Sequence, residues 1–314
     1  MVSRDGIPGT AAIESTDAHE DRARTRSHPA LPRECPPRIS IVTPSFNQAR
    51  FLPGAIESVL GQNYPDLEYV VIDGGSTDGS ADIIRGQAAR LAHWCSEKDA
   101  GQYDAINKGF ARTSGEVMAW LNSDDLYTPW ALRVVAELFR QLPQVEWLTT
   151  LLPLHWDEHG LPTRCSPVAG YSKRGFFKGH HLPRPGERGK SFIQQESTFW
   201  RRKLWERAGG RIDSSLRLAG DFELWARFFQ HADLYGVALP LGGFRRHDEQ
   251  KTAHHMDAYF KEAESALARH GGRVKALPVP WPALRWLRRA AGESMQYRVC
   301  VYRGGRWTVV SRWM

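Results

Sequence analysis

Apolar positions in the first half of the chain follow two rhythms that take turns. Arg38-Ile39-Ser40-Ile41-Val42-Thr43-Pro44 is a β-branched run stopped by proline, which predicts a strand. Phe51, Leu52, Ala55, Ile56, Val59 and Leu60 then recur at helical spacing on one face. The exchange repeats with a strand over Leu67 to Ile72, a helix opening at Ala81, Ile83 and Ile84, and a short strand near Trp94 to Ser96. A helix from about Tyr103 to Ala111, a strand over Val117 to Leu121 and a helix over Ala131 to Phe139 follow. Strands that alternate with helices and read as continuous apolar runs indicate an α/β fold, its mostly parallel sheet covered on both faces. Ligands of such sheets bind beyond the carboxyl ends of the strands. Thr43-Pro44-Ser45, Asp73-Gly74-Gly75-Ser76, Glu97-Lys98-Asp99 and Ser123-Asp124-Asp125 each occupy such an end.

The second half is less regular. Pro153 to Arg188 carries many Gly, Pro, His and basic residues, and reads as a long mobile loop or lid. Phe192 to Trp205 is an amphipathic return. Gly220-Asp221 precedes a helix that turns Phe222, Trp225, Ala226 and Phe229 inward. Val237 to Leu241 reads as the last strand, with Phe244-Arg245-Arg246-His247 after it and a helix over Asp257 to His270. The expected organisation is a disordered lead over 1–37, a main domain over 38–252, a helix over 253–272 and a basic tail over 273–314. The main domain divides near residue 150 into a regular first half and a less regular second half.

Composition narrows the class. A chain of 314 residues with 41% hydrophobic and 25% charged residues is ordinary for a soluble globular protein. The four cysteines form no CxxC pair, which argues against a zinc site or a disulfide framework and suits a reducing, cytoplasmic setting. No window approaches the ~18 consecutive apolar residues of a membrane span. The net charge of +7 is uneven: from Arg273 onward nine basic residues accompany one acid, Glu293, while the rest holds 33 basic and 34 acidic groups. Basicity therefore belongs to the tail, and a nucleic-acid partner is not implied. In that tail Trp281, Trp286, Trp307 and Trp313 are mixed with Arg285, Arg288, Arg289, Arg298, Arg303, Arg306 and Arg312. This mixture suits peripheral contact with an anionic membrane surface, or a basic tail folded back on its own domain.

The chemistry centres on Trp120-Leu121-Asn122-Ser123-Asp124-Asp125, where two adjacent carboxylates follow a buried strand. Like charges placed there suit a hard divalent cation shared with substrate phosphates, or else a solvated turn capping the next helix.

Thr43-Pro44-Ser45-Phe46-Asn47, Asp73-Gly74-Gly75-Ser76-Thr77-Asp78-Gly79 and Asn122-Ser123-Asp124-Asp125, in that order, resemble a family 2 glycosyltransferase. Asp99-Ala100-Gly101-Gln102-Tyr103-Asp104-Ala105-Ile106-Asn107-Lys108-Gly109 resembles a segment of bacterial polysaccharide-assembly members. The similarity runs from about Arg38 to Thr252. It implies a glycosyltransferase-A fold with a Rossmann-like sheet, a nucleotide-diphosphate sugar donor, a divalent metal (Mg²⁺ or Mn²⁺) and inversion at the anomeric carbon.

The same resemblance assigns roles. Pro44 and Ser45 stand where the nucleoside is held, and Asp73 matches the base-binding aspartate. Asp104, Asn107 and Lys108 share a helix face that can meet the donor. Asp125 is implied as the direct metal ligand, Asp124 as a ligand of ribose or metal, and His247 as the histidine that completes the metal site. Asn122 replaces the first aspartate of the commoner Asp-x-Asp form. Asp221, in Gly220-Asp221-Phe222-Glu223-Leu224-Trp225, matches the catalytic base, with Glu223 in reserve. An inverting transfer needs one carboxylate to take the acceptor hydroxyl's proton. Gln195 and Glu196 fall in the acceptor-side segment. The Gln-x-x-Arg-Trp motif of processive synthases is absent, so single-residue transfer to a glycan or lipid-linked acceptor is expected. Two alternatives stand beside this expectation: a non-catalytic nucleotide-sugar-binding subunit of an assembly complex, and a sugar-phosphate nucleotidyltransferase. The second would want a Gly-rich, basic loop where Phe46-Asn47-Gln48 stands.

Overall fold

The computed structural model describes residues 35–182, 192–248, 250–274 and 296–313. The expected lead over 1–37 falls almost wholly outside the described residues, as do Trp281, Arg285, Trp286, Arg288 and Arg289 of the tail.

The first half folds as its periodicity indicates. In chain order it forms β1 (Ile39–Ser45), α1 (Leu52–Leu60), β2 (Leu67–Asp73), α2 (Ser80–Gly86), β3 (His93–Ser96), α3 (Gln102–Phe110), β4 (Val117–Trp120), the two-residue strand β5 (Leu126–Tyr127) and α4 (Ala131–Gln141). The second half adds β6 (Trp147–Thr150), β7 (Leu154–Trp156), β8 (Pro162–Cys165), α5 (Lys173–Phe177), β9 (Phe199–Arg201), α6 (Arg202–Arg207) and α7 (Gly220–His231). After these come β10 (Tyr235–Val237), β11 (Gly242–Arg245), α8 (Lys251–Arg269), β12 (Gln296–Arg303) and β13 (Arg306–Trp313).

Nine strands form the main sheet in the order β13-β12-β10-β6-β9-β4-β1-β2-β3. β1 pairs in parallel with β2 and β4, β2 with β3, and β10 with β6 and β12. The exception that matters is β9, which runs antiparallel between β4 and β6. Its beginning, and the 3-10 turn Gln195–Ser197 before it, therefore lie where β4 ends. A second sheet, ordered β5-β11-β7-β8, pairs β11 antiparallel with β5 and so carries Arg245 and His247 back to the residues just after β4.

Tryptophans from both halves share one core. Trp225 of α7 stacks on Trp120 of β4 at 6.0 Å and on Trp147 of β6 at 5.5 Å, and Trp200 of β9 meets Trp120 edge-on. Helix α3 lies so close to β1 that a Cβ on Gly109 would come within 2.4 Å of Val42 Cγ1.

Two expectations for the second half change, and the tail takes one of its two expected forms. The run Val237 to Leu241 is not one strand: β10 ends at Val237 and β11 starts at Gly242. Pro240 has no amide hydrogen to continue a ladder, so the chain leaves one sheet and joins the other. The segment read as a lid over 153–188 holds the strands β7 and β8 and the helix α5, while 183–188 lie outside the described residues. The tail from Gln296 to Trp313 is a hairpin that extends the main sheet beside β10. Its turn, Gly304-Gly305, has φ of +57° and +82°. Gly-Gly between alternating strands is the mark of such a turn, and the sequence carried it.

Candidate active site

Beyond the end of β4 the backbone turns, with Asp125 N–H donating to Asn122 O at 3.1 Å. The two carboxylates that follow face opposite ways. Asp124 turns outward, its side chain 23% exposed, and its Oδ2 lies 3.1 Å from Nε2 of His247. The His247 ring is buried against Phe51, with ring centroids 4.2 Å apart. Asp125 turns inward and is fully buried. Its Oδ1 accepts from Arg245 N–H at 2.9 Å and its Oδ2 from Asn122 Nδ2 at 3.2 Å. Burial, then the charges of Asp124 and Glu196, hold its carboxyl well above the usual carboxylate range.

The fold sets the two apart: Asp124, with His247, faces outward, and Asp125 anchors the turn. Asn122 explains its own departure from Asp-x-Asp. Its Nδ2 donates to both Asp125 and Gln195 Oε1, while its Oδ1 accepts from Gln102 Nε2 at 2.7 Å. A carboxylate there could not donate, so the amide is needed to join β4, α3 and the turn before β9.

The donor-side residues separate into two groups. Ser45 and Asp73 end adjacent strands in register, beside Pro44 and Ile72. Ser45 Oγ is buried without a partner among the described residues. Asp73 accepts from Gly75 N–H, Ser76 N–H and Ser96 Oγ on Oδ2 and from Ser76 Oγ on Oδ1, all between 2.5 and 3.2 Å. It shapes its loop, and Oδ1, with a single bond, keeps a lone pair.

On α3, Lys108 Nζ lies 3.3 Å from Glu97 and 3.4 Å from Asp104, whose Oδ2 also accepts from Ala100 N–H. Lys108 and Asp104 therefore remain on a partly open face. Asn107 does not join them. Its amide donates to Ile212 O at 2.9 Å and accepts from Ile212 N–H at 2.8 Å, which ties α3 to the second half. The i, i+3, i+4 spacing had placed all three on one face; one of them turns to a partner more than a hundred residues away.

On the acceptor side, Gln195 donates to Trp120 O at 2.7 Å, at the end of β4. Glu196 is buried, with Oε1 unpaired among the described residues, and burial pushes its carboxyl up to about 8. It lies close enough to feel the charges of both Asp221 and Asp124.

Asp221 opens α7, where its Oδ1 accepts from Phe222 N–H at 2.7 Å and from the Tyr259 hydroxyl at 3.2 Å. Burial pushes this carboxyl up to about 6, and the two hydrogen bonds only partly offset the loss of solvent. Glu223 leaves the role of reserve base. Arg227 grips both its oxygens and His270 lies 2.9 Å away. Burial pushes Glu223 up, but His270 and Arg227 outweigh it and leave the carboxyl below its ordinary value.

Among the described residues no cluster of three or more His, Cys, Asp or Glu could by itself hold a metal. The pair Asp124 and His247 offers a carboxylate oxygen and an imidazole side by side, and His247 Nδ1 is buried without a partner. Two such donors suit a Mg²⁺ or Mn²⁺ whose remaining positions are filled by diphosphate oxygens and water. Ser45 Oγ, Glu196 Oε1, Arg245 Nε and His247 Nδ1 are among the buried polar atoms without partners in the described residues. Sequence reasoning missed Tyr259 and Arg245. Tyr259 sits on an apolar face with Ala263, Ala266 and Leu267, where it reads as core.

The parallel sheet with ligand-type side chains at its carboxyl edge defines a glycosyltransferase-A fold. S. aureus TarS 1–349, in its complex with UDP-GlcNAc, superposes with a TM-score of 0.57 at 14% identity, over 74% of this chain and 66% of that one. The family model described as Glycosyl transferase family 2 matches residues 40–151. An uncharacterised glycosyltransferase of Mycobacterium tuberculosis is 31% identical over 193 residues, 61% of this chain and 68% of that one. The chain belongs to glycosyltransferase family 2. The putative teichuronic acid biosynthesis glycosyltransferase TuaG of Bacillus subtilis is 35% identical over 92 residues, 28% of this chain and 36% of that one. The chain spans between 14% and 68% of the length of the curated relatives it matches.

Proposed function

We propose that the chain is an inverting, metal-dependent glycosyltransferase. It moves a sugar from a nucleotide-diphosphate sugar to a hydroxyl of a glycan or lipid-linked acceptor in cell-surface polysaccharide synthesis. The observation that carries the reading is Asp221: a buried carboxyl at the head of a helix, raised to about 6 and held by one amide and one phenol. A carboxylate with that proton affinity is unprotonated at neutral pH and a better base than an exposed one. It would take the acceptor hydroxyl's proton as the oxygen attacks the anomeric carbon and the bond to the diphosphate breaks. Asp124 and His247 would hold the metal, with Asp125 and Asn122 setting the turn that presents them. When bound, the metal offsets the charge that develops on the diphosphate. Pro44, Ser45, Lys108 and Asp104 would line the donor, and Gln195 and Glu196 the acceptor side.

TuaG's name supports the polysaccharide setting, and the UDP-GlcNAc bound to TarS supports a nucleotide-sugar donor. The catalytic domain over 38–252 would be completed by α8 and the β12–β13 hairpin. No helix among the described residues is long and apolar enough to cross a membrane. A cytoplasmic location with peripheral contact through the Trp- and Arg-rich part of the tail belongs to the same proposal.

A panel of nucleotide sugars with Mn²⁺, scored by transfer and by donor binding, tests the reading. Asp221→Asn should abolish transfer and leave donor binding in place. Unchanged turnover in that variant refutes the mechanism.

A further inference from the structure

Helix α8 carries the phenol that meets Asp221, and three of its residues hold the segment that bears this carboxyl. Glu262 accepts from the backbone N–H groups of Arg217, Leu218 and Ala219, at 3.2, 2.8 and 3.0 Å for the closer oxygen in each case. Arg269 pairs with Asp213 at 3.3 Å. Tyr259 is almost fully buried, and its hydroxyl lies 3.2 Å from Oδ1 and 3.4 Å from Oδ2 of Asp221. Ala263, one turn further on, is wholly buried beside it. From the other side, the Tyr103 hydroxyl of α3 accepts from Gly220 N–H at 2.9 Å and donates to Leu218 O at 2.7 Å. The base is thus set between two buried phenols, and only one of them touches its carboxyl.

We propose that Tyr259 is a positioning residue for Asp221, its hydroxyl donating to the carboxylate and keeping one oxygen aimed at the incoming acceptor hydroxyl. Oδ1 is already committed to Phe222 N–H at 2.7 Å. Tyr259 is also nearer Oδ1, at 3.2 Å against 3.4 Å for Oδ2, so Oδ2 is the less engaged oxygen and the one open to the proton. A hydrogen bond to the charged form also favours that form, so Tyr259 opposes the effect of burial and keeps the base unprotonated near neutrality. The groups that face Asp221 are Tyr103 from α3, Tyr259 and Glu262 from α8, and Glu196 from the turn before β9. Burial and Glu262 oppose ionisation of Asp221, and among these four groups Tyr259 donates directly to its carboxyl. The same helix begins shortly after His247, so the donor corner and the base are joined by one element.

The inference rests on Asp221 acting as the proton acceptor, and its test separates the two. In the full chain labelled with ¹³C-aspartate, the Asp221 carboxyl signal is assigned by its loss in Asp221→Asn and titrated with pH. Tyr259→Phe keeps the ring and removes the donor, so the midpoint should rise by about one pH unit. Incorporation of 3-fluorotyrosine at position 259 makes the phenol a stronger donor in the same space and should move the midpoint down. Nucleotide release is then followed with whichever of UDP-glucose, UDP-GlcNAc, UDP-galactose and GDP-mannose the wild-type chain cleaves fastest with Mn²⁺. For Tyr259→Phe we expect kcat to fall about tenfold with donor KM unchanged, and the acidic limb of the rate profile to move with the carboxyl midpoint. A midpoint that stays put in Tyr259→Phe, or shifts the same way in both variants, overturns the role of Tyr259. If instead the midpoints move as expected while Asp221→Asn still releases nucleotide at the wild-type rate, the base assignment fails and the Tyr259–Asp221 bond stands as structural.

Discussion

Replacing Asn107 by alanine distinguishes two readings of the α3 face. From spacing alone Asn107 belongs with Asp104 and Lys108 as a donor contact. In the fold its amide closes a two-bond ring with Ile212, at 2.9 and 2.8 Å, and Ile212 is 1% exposed. Alanine leaves both the N–H and the C=O of Ile212 without a partner in a place water reaches poorly. A net hydrogen bond is worth about 1 kcal/mol and an orphaned buried group costs about 1–3 kcal/mol, so two lost bonds come to about 2–4 kcal/mol once some water enters. For a chain of this size each kcal/mol moves Tm by about 2–4 °C, which gives a fall of about 5–15 °C. Calorimetric melting reads the stability, and titration calorimetry with the preferred nucleotide sugar, well below the variant's Tm, reads donor affinity. We expect donor Kd to change by less than about twofold, because the amide is spent on the backbone. A donor Kd weakened tenfold or more with an unchanged Tm would refute the structural assignment. Asn107→Asp adds a second check: it keeps an acceptor for Ile212 N–H but sets a carboxylate oxygen against Ile212 O, so it should destabilise more at pH 7 than at pH 4.

Three further outcomes follow from the site. Asp124→Ala and His247→Ala should each remove the Mn²⁺ dependence of donor binding, whereas Asp125→Asn should chiefly lower Tm; equal donor affinity with and without Mn²⁺ in the wild type would end the metal assignment. The rate kcat/KM should rise with pH through about 6 and level off above it, since the base must lose its proton; a profile flat from pH 5 to 8 contradicts Asp221 as base. The same burial costs stability. Between the ordinary value of 3.8 and about 6 the folded chain binds the Asp221 proton and the unfolded chain does not, so stability falls as pH rises across that window, by about 3 kcal/mol in all. Asp221→Asn should therefore raise Tm at pH 7.5 and lose that advantage near pH 4, and an equal Tm difference at both pH values counts against it.

The alternation of apolar runs placed the elements from β1 to α4, apart from the two-residue β5, within a residue or two, because strand and helix spacing are local properties of a buried chain. The polar clusters at the strand ends were equally legible, since a parallel sheet sends all its carboxyl ends to one edge. The second half resisted for a physical reason. β7, β8 and β11 are short, and each is stabilised by partners far away in sequence rather than by its own pattern. The β12–β13 hairpin has a local signal in Gly304-Gly305, whereas its place beside β10 is a long-range pairing.

The chain's sequence by itself determined the fold class, the sheet edge at which the polar clusters gather and the set of carboxylates placed there. Tertiary structure decided which member of each set faces the site. Asp124 and Asp125 are chemically identical neighbours, and nothing local tells them apart. The pairing of β11 with β5 does: it brings Arg245 N–H to Asp125, from 120 positions away, and His247 to Asp124, from 123. Asp221 and Glu223 are separated the same way, one given a phenol and the other an Arg and a His. A carboxylate's role depends on its partners, and here those partners are assembled only by the folded chain.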